Sequence, residues 1–355
     1  MTDRPTTRMA LWIVPVSGLG GVARHVLDVA RTGIPGWRLV IACPPGPLAE
    51  ALRHQRAAVL PAPLGPEAGL SRTVTTVRAL ARSLRPQIIH SHLAYADIAL
   101  ALALPTTPAA RVSTEHGIAP VDDVYHASRL TSDAMRAAHT LRVRRFDHLI
   151  AVSESTREVM IERWRPRVPI TVNLNGIDPT IVAASPPGDQ LHVASLSRLS
   201  PEKRIPELLA AFALVRRTHP GARLTVAGVG PERAAIRAVA ERLGLTDAVT
   251  FPGHVPAEDL LSTADVVVQL SVWENCSYAL LDACAAGLGV VATPVGGNSE
   301  ILPRSSLVAA DDHAAIAELI TTQRDPGRRP GLRPGWPTVA AMSQTIAQVY
   351  AEVAP

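Results

Sequence analysis

Lysine is nearly absent from this 355-residue chain: Lys203 is the only one, and the other 34 of its 35 basic residues are arginine. Cysteine is scarce as well. Cys43, Cys276 and Cys284 form an odd, scattered set that fits neither a disulfide framework nor a zinc site, which points to a reducing, cytoplasmic setting. Aromatic residues make up 3% of the chain and apolar residues 47%. The cores must therefore be built from Ala, Val, Leu and Ile, which suits helices packed on parallel sheets. No uninterrupted apolar run reaches the ~20 residues needed to span a bilayer. The first apolar run, 9–16, is short and follows a charged lead with Pro and Thr, so it reads as a strand and not as a signal peptide. No Asp-x-Asp sequence occurs, and no His/Cys cluster has metal-ligand spacing along the chain, so no metal is expected.

What is present is an alternation of short β-branched apolar runs with longer amphipathic segments, the pattern of βαβ units and parallel sheets. Strands are expected at 11–16, 38–42, 58–61, 88–91, 111–114, 148–152 and 170–173. A linker over 178–190, with Ser185-Pro186-Pro187-Gly188, follows, and the alternation restarts at 192–195, 223–227, 249–251, 266–269, 290–292 and 307–308. Two α/β domains, 1–182 and 183–355, are predicted, with the final helix, 338–354, crossing back onto the first. Residues 1–182 carry 21 Arg against 14 acids, a net +7, and the remainder carries 14 basic against 17 acidic residues, a net −3. The basic half suits an anionic acceptor or a membrane surface, or simply solvated helix faces. Arg142, Arg144 and Arg145, with Arg163-Trp164-Arg165-Pro166-Arg167, are the candidate membrane face.

Four constellations carry chemistry. Gly18-Leu19-Gly20-Gly21 follows the first strand, where exposed amides at a helix start can approach a ligand. It is a poor dinucleotide fingerprint, because strand two runs into Cys43-Pro44-Pro45 with no acidic residue; it fits a loop beside a phosphate or acceptor, or a structural turn. Arg198 and Lys203 follow one strand and precede a helix. A compact ammonium suits a phosphate oxygen in a cleft, and a charge pair at ~4 Å and an effective dielectric near 20 is worth roughly 4 kcal/mol before desolvation. The alternative is a surface ion pair with Glu202 or Glu207. The third runs Ser271-Val272-Trp273-Glu274-Asn275-Cys276-Ser277-Tyr278, into a helix that contains Asp282 and stops at Gly287. Helical rise alone puts Glu274 and Asp282 about 12 Å apart, too far for the ~5.5 Å carboxylate pair of a retaining glycosidase. They read as anchors for different parts of one elongated ligand, or, for Asp282, as an exposed helix carboxylate. The fourth, Pro294-Val295-Gly296-Gly297-Asn298-Ser299-Glu300, places a glycine pair before another helix start. His90 and His92 alternate on the fourth strand and read as core and wall residues.

On these residues the chain resembles the retaining glycosyltransferase family 4. The resemblance rests on Ser197-Arg198-Leu199-Ser200-Pro201-Glu202-Lys203, on Val249-Thr250-Phe251-Pro252-Gly253, on Glu274 and Asp282 as an E-x7-E motif, and on Gly296-Gly297 with Glu300. It implies a GT-B fold, two Rossmann-like doubly wound domains facing a central cleft, and metal-independent transfer of a hexosyl group with retention of configuration. The donor implied is a nucleotide-diphosphate sugar, UDP- or GDP-linked, held mainly by the second domain with no other cofactor. Arg198 and Lys203 would bind the diphosphate, Glu274 the sugar hydroxyls and Asp282 the ribose. The amides of Cys276, Ser277 and Tyr278 would face sugar and phosphate, Glu300 would close the Gly296-Gly297 loop, and Gly20-Gly21 would approach the donor phosphates. His116, in Thr114-Glu115-His116-Gly117, would sit near the transferred sugar. The acceptor, a small molecule, glycan or lipid-linked hydroxyl, is expected in the first domain, with 118–137 as candidate lining or, equally, a plain surface loop; no nucleic-acid partner is expected. Asp282 stands where the family usually has glutamate, Ser277 where glycine is frequent and Gly289 where proline is frequent. The rival readings are another enzyme on this architecture, such as a nucleotide-sugar epimerase or sugar phosphorylase, and a non-catalytic nucleotide-sugar sensor.

Overall fold

The first strand shows why the sheets form. In the computed structural model, which describes residues 8–118, 138–178 and 190–354, β1 (Arg8–Ile13) carries Ala10, Leu11, Trp12 and Ile13 in succession with no exposed surface. A strand buried on both faces needs no polar alternation, because helices cover each side of the sheet. β1 pairs in parallel with β2 (Trp37–Cys43) and β4 (Ile88–His92). With β3 (Val59–Pro61), β5 (Ala110–Glu115), β6 (His148–Ala151) and β7 (Ile170–Val172), the first sheet has the order β3-β2-β1-β4-β5-β6-β7. Its helices are α1 (Gly21–Thr32), α2 (Pro47–His54), α3 (Leu70–Leu84), α4 (Leu93–Ala103) and α5 (Glu154–Trp164).

The second sheet has the order β10-β9-β8-β11-β12, all parallel, from β8 (His192–Leu196), β9 (Arg223–Ala227), β10 (Val249–Gly253), β11 (Val266–Gln269) and β12 (Gly289–Ala292). It carries α6 (Ile205–Thr218), α7 (Arg233–Arg242), α8 (Ala257–Leu261), α9 (Tyr278–Ala285), α10 (Asn298–Ile301) and α11 (His313–Thr322). The expected strand at 307–308 is reduced to one bridge between Ala292 and Leu307. Each sheet reverses its winding once, between β1 and β4 and between β8 and β11. Open parallel sheets bind ligands at the carboxyl ends of the strands on either side of such a reversal.

The chain divides into Met1–Gly176 with Pro337–Pro355, and Ile177–Trp336. The division falls a few residues before the expected boundary at 182, and it returns the last helix to the first unit. That helix, α12 (Val339–Val353), is capped by the Thr338 hydroxyl, which accepts from the Ala341 amide. Val339, Met342, Ile346, Val349 and Tyr350 fall at three- and four-residue spacing and are buried in one cluster with Ala10, Trp12, Val26 and Val29. Each large side chain so buried contributes about 1.5–3 kcal/mol. Tyr350 OH accepts from Trp12 Nε1 at 2.6 Å, which satisfies two polar groups inside this core. The expected linker and the candidate acceptor loop lie mostly outside the described residues, which omit 179–189 and 119–137.

Candidate functional site

In the second unit the site grows from the ends of β8 and β11. After β8 the chain makes a 3-10 turn at Pro201–Lys203, and Arg204 at φ 48 turns it into α6. The Glu202 carbonyl accepts from the Val272 amide at 2.8 Å, which ties this turn to the loop after β11. That tie brings distant side chains together. Lys203 Nζ pairs with Glu274 Oε1 and lies 3.4 Å from Ser271 Oγ, which itself donates to Glu274 Oε1 at 2.8 Å. Arg198 Nη2 donates to Glu202 Oε1 at 2.8 Å, and the Ser200 hydroxyl donates to the same oxygen at 2.7 Å. Burial raises the Glu202 pKa, but the Ser200 hydroxyl, a backbone amide, Arg198 and Lys203 outweigh it and hold the carboxyl below its usual range.

The two cations expected to meet phosphate thus sit in a neutral set with two carboxylates. Its members differ in freedom. Lys203 and Glu274 are 15% and 14% exposed, whereas the Arg198 side chain is 68% exposed and can swing to meet an anion. The expected alternative, an ion pair with Glu202, holds for Arg198; Lys203 instead reaches Glu274, 71 residues away.

The remaining candidates follow β11 and β12. Ser277 caps α9 without a side-chain bond of its own to the helix; its hydroxyl accepts from Gln269 Nε2 at 2.9 Å. Cys276 and Tyr278 flank it, both buried, and Asp282 lies half-buried in the middle of α9. Gly296 is exposed at φ 49, and a Cβ there would lie 2.9 Å from the Glu274 carbonyl carbon and closer still to its oxygen. Gly297 is buried beside it, and Glu300, half-buried in α10, has its carbonyl bound by Arg333 Nη1 at 2.6 Å. Thr293 Oγ1 donates to the Ser271 carbonyl at 2.6 Å and fixes the base of the Glu274 loop. Gly228 was not among the expected residues. Its φ of 143 and a notional Cβ 2.9 Å from the Ser197 carbonyl carbon show that the loop after β9 supports the Arg198 loop by close backbone approach. The signal in the sequence was Gly228-Val229-Gly230-Pro231 directly after a strand.

In the first unit, Gly20 and Gly21 begin α1, exposed, and added Cβ atoms there would meet nothing within 4 Å. Packing within the described fold therefore does not require glycine at either position. His116 follows β5 and is half-buried. Here the fold departs most from the spacing along the chain, because it gathers His25 of α1, His92 at the end of β4 and His116 so that one nitrogen of each lies within 4.8 Å of the others. His92 Nδ1 and His116 Nε2 are 2.9 Å apart, and His25 Nδ1 lies 3.3 Å from Asn175 Oδ1. Burial lowers the His25 pKa to about 4, and the Asn175 bond opposes it. Burial, then the neighbouring imidazoles, hold His92 and His116 well below the usual histidine value. His90 is the satisfied core histidine expected. Tyr350, already accepting from Trp12, donates to His90 Nδ1 at 2.6 Å, so His90 Nε2–H donates to Thr114 Oγ1 at 2.7 Å.

Two members of the candidate membrane face, Arg142 and Trp164, are corrected, whereas Arg144, Arg145, Arg165 and Arg167 are exposed. Arg142 is 3% exposed, paired with Asp97 and with Glu115 at 2.6 Å, and its Cζ lies 4.5 Å from the ring centre of Trp164, itself 5% exposed. These two residues close the interior because two buried carboxylates demand a cation. Among the described residues no helix is long and apolar enough to cross a membrane.

Residues 19–181 match the Glycosyltransferase Family 4 model and residues 179–323 the Glycosyl transferases group 1 model, so the two matches run end to end. Glycogen synthase of Mycobacterium tuberculosis is 32% identical over 229 residues, 62% of this chain and 55% of that protein. A human phosphatidylinositol N-acetylglucosaminyltransferase subunit is 28% identical over 236 residues, 64% of this chain and 47% of that one. The chain thus spans about half the length of these curated relatives. Among solved structures, Anabaena Alr3699/HepE in complex with UDP-glucose superposes with a TM-score of 0.77 at 21% identity, covering 96% of this chain and 94% of that one. Sucrose-phosphate synthase from Thermosynechococcus elongatus gives 0.74 at 20% identity, covering 98% and 96%. The fold is GT-B: two parallel-sheet, Rossmann-like domains.

Proposed function

We propose that this GT-B chain is a retaining hexosyltransferase that moves a sugar from a nucleotide-diphosphate donor, UDP- or GDP-linked, to an acceptor hydroxyl. The observation that carries the reading is the convergence of Arg198, Lys203, Ser271 and Glu274 at the reversal point of the second sheet, beside the start of α9. The Lys203–Glu274 pair holds one cation in place before an anion arrives, and the exposed Arg198 can close on it afterwards. A diphosphate entering there exchanges a carboxylate partner of Lys203 for phosphate oxygens and frees Glu274 to bond sugar hydroxyls. Asp282 takes the ribose hydroxyls, and the amides at Cys276, Ser277 and Tyr278 meet sugar and phosphate. The Gly296-Gly297 loop, ended by Glu300, completes the cradle. HepE, captured with UDP-glucose, and the glycogen synthase relative support a nucleotide-sugar donor.

The transfer breaks the bond from sugar C1 to the phosphate oxygen and forms one to the acceptor oxygen on the same face. Negative charge grows on the departing diphosphate, where Lys203 and Arg198 are worth most, and a phosphate oxygen takes the acceptor proton. With no Asp-x-Asp to hold a metal on the diphosphate, these two side chains supply the countercharge. His116 of the first unit orients the transferred sugar, and Gly20 and Gly21 approach the donor phosphates. The test is thermal stabilisation of the full chain by UDP-, GDP-, ADP- and dTDP-sugars, followed by the structure of the best ligand bound. One nucleotide should raise the melting temperature and sit on residues 198, 203 and 274. Stabilisation by none of them, or a ligand lodged elsewhere, overturns the reading.

A further inference from the structure

We propose that His25, His92 and His116 form a three-nitrogen site for a divalent transition-metal ion of the zinc type. The site lies wholly within the first unit; it shares His116 with the reading above, and its test reads metal binding and not transfer. Three features carry it. First, the separations fit. An ion with metal–nitrogen bonds of about 2.0–2.1 Å sets its tetrahedral ligands roughly 3.4 Å apart, and the observed nitrogens range from 2.9 Å for His92 and His116 up to 4.8 Å. Small ring rotations close that range.

Second, the cluster is unfinished as a hydrogen-bond network. His25 and His92 are 1% and 0% exposed, yet His25 Nε2 and His92 Nε2 have no hydrogen-bond partner among the described residues. Buried polar atoms are almost always satisfied, so an orphaned His25 Nε2 beside the His92 Nδ1 and His116 Nε2 pair needs an explanation. His90, packed against His92 with ring centres 4.6 Å apart, has both nitrogens bonded, so the fold can satisfy a histidine here.

Third, the neighbours set the right protonation and orientation. The Asn175 carbonyl oxygen accepts from His25 Nδ1–H, which keeps the proton there and leaves the Nε2 lone pair as the donor atom, as second-sphere carbonyls do for metal-bound imidazoles. Trp12 backs the group, 4.4 Å from the His92 ring centre and 6.0 Å from that of His25. The nearest carboxylate along the chain, Glu115, is engaged by Arg142 and leaves the donor set purely nitrogen. Three neutral imidazoles suit zinc, cobalt or nickel over magnesium or calcium, and they leave a fourth position for an oxygen ligand.

The test uses the full chain, stripped with a chelator and titrated with Co2+, whose ligand-field bands in the visible report low-coordinate nitrogen sites, and then with Zn2+ in competition. One equivalent should bind with no thiolate charge-transfer band, and Zn2+ should displace it and raise the melting temperature. His25→Gln and His116→Gln should each weaken Co2+ binding by at least about 100-fold. His116 is half-buried, so its variant keeps the test decisive if the buried His25 variant fails to fold. The proposal is overturned by absence of the bands in the wild-type chain, by thiolate bands that place the ion on cysteine, or by bands that persist in the folded His116→Gln variant.

Discussion

Gly296→Ala separates the geometry of the candidate donor site from its stability. The residue has φ 49, and the notional methyl group lies 2.9 Å from the Glu274 carbonyl carbon and nearer still to the oxygen. The left-handed conformation costs alanine about 1–2 kcal/mol. The overlap adds a displacement, because two backbones in contact must part, by on the order of 1 Å, a misplacement that can cost 100-fold in rate. Glu274 holds Lys203 and Ser271, so the shift passes directly into the cation that would meet the diphosphate. The control is Gly287→Ala. Gly287 has φ 70 and nothing within 4 Å of an added Cβ, so it carries the same backbone penalty without the overlap. Nucleoside-diphosphate affinity by calorimetry, initial transfer rates and urea denaturation should be measured on both. Gly296→Ala should lose about 100-fold in turnover, and Gly287→Ala should lose about 1–2 kcal/mol of stability with its rates intact. A folded Gly296→Ala within a few-fold of the wild-type rate, or an equal loss in Gly287→Ala, would refute the reasoning.

Lys203→Ala should lower turnover by about 100-fold or more, because a charge aimed at the leaving group is removed; near-normal steady-state rates would show that Lys203 is only a structural partner of Glu274. Arg142→Leu strands the buried carboxylates of Asp97 and Glu115 and should cost about 3–5 kcal/mol in urea denaturation. Arg144→Ala, on an exposed neighbour, should change little; equal effects would mean that the buried network is not what stabilises this region. The His25 pKa, lowered from 6.5 to about 4, gives a signed pH dependence. Between those values the unfolded chain binds a proton that the folded chain refuses, so stability falls as pH drops through this window, by about 3 kcal/mol at ~1.4 kcal/mol per pH unit. Asp97, raised to about 6 chiefly by burial, acts in the opposite sense over much of the same range. The stability difference between wild type and His25→Gln cancels Asp97 and should shrink by that amount from pH 6.5 to 4; a flat difference would place the His25 proton elsewhere.

Both sheets were legible in the order of residues, because a parallel strand covered on two faces must be an apolar β-branched run. Runs such as 223–227 and 266–269 coincide with β9 and β11. The strand expected at 307–308 failed because a two-residue run gains too few ladder bonds to extend past Leu307. Burial misled where it depended on partners: Arg142 and Trp164 read as a basic, aromatic surface, and Asp97 and Glu115, far away along the chain, draw them inside. The local form of the candidate donor turns was also readable, since each motif is a strand-to-helix turn whose residues lie close together in sequence. The amino-acid order by itself determined two doubly wound domains and which turns carry cations, carboxylates and glycines. Only the tertiary structure decided that Lys203 meets Glu274, and that His25, His92, His116 and Asn175 meet at all. The physical reason is the parallel crossover, which returns every strand in the same direction and so brings the ends of strands remote in sequence to one edge of the sheet.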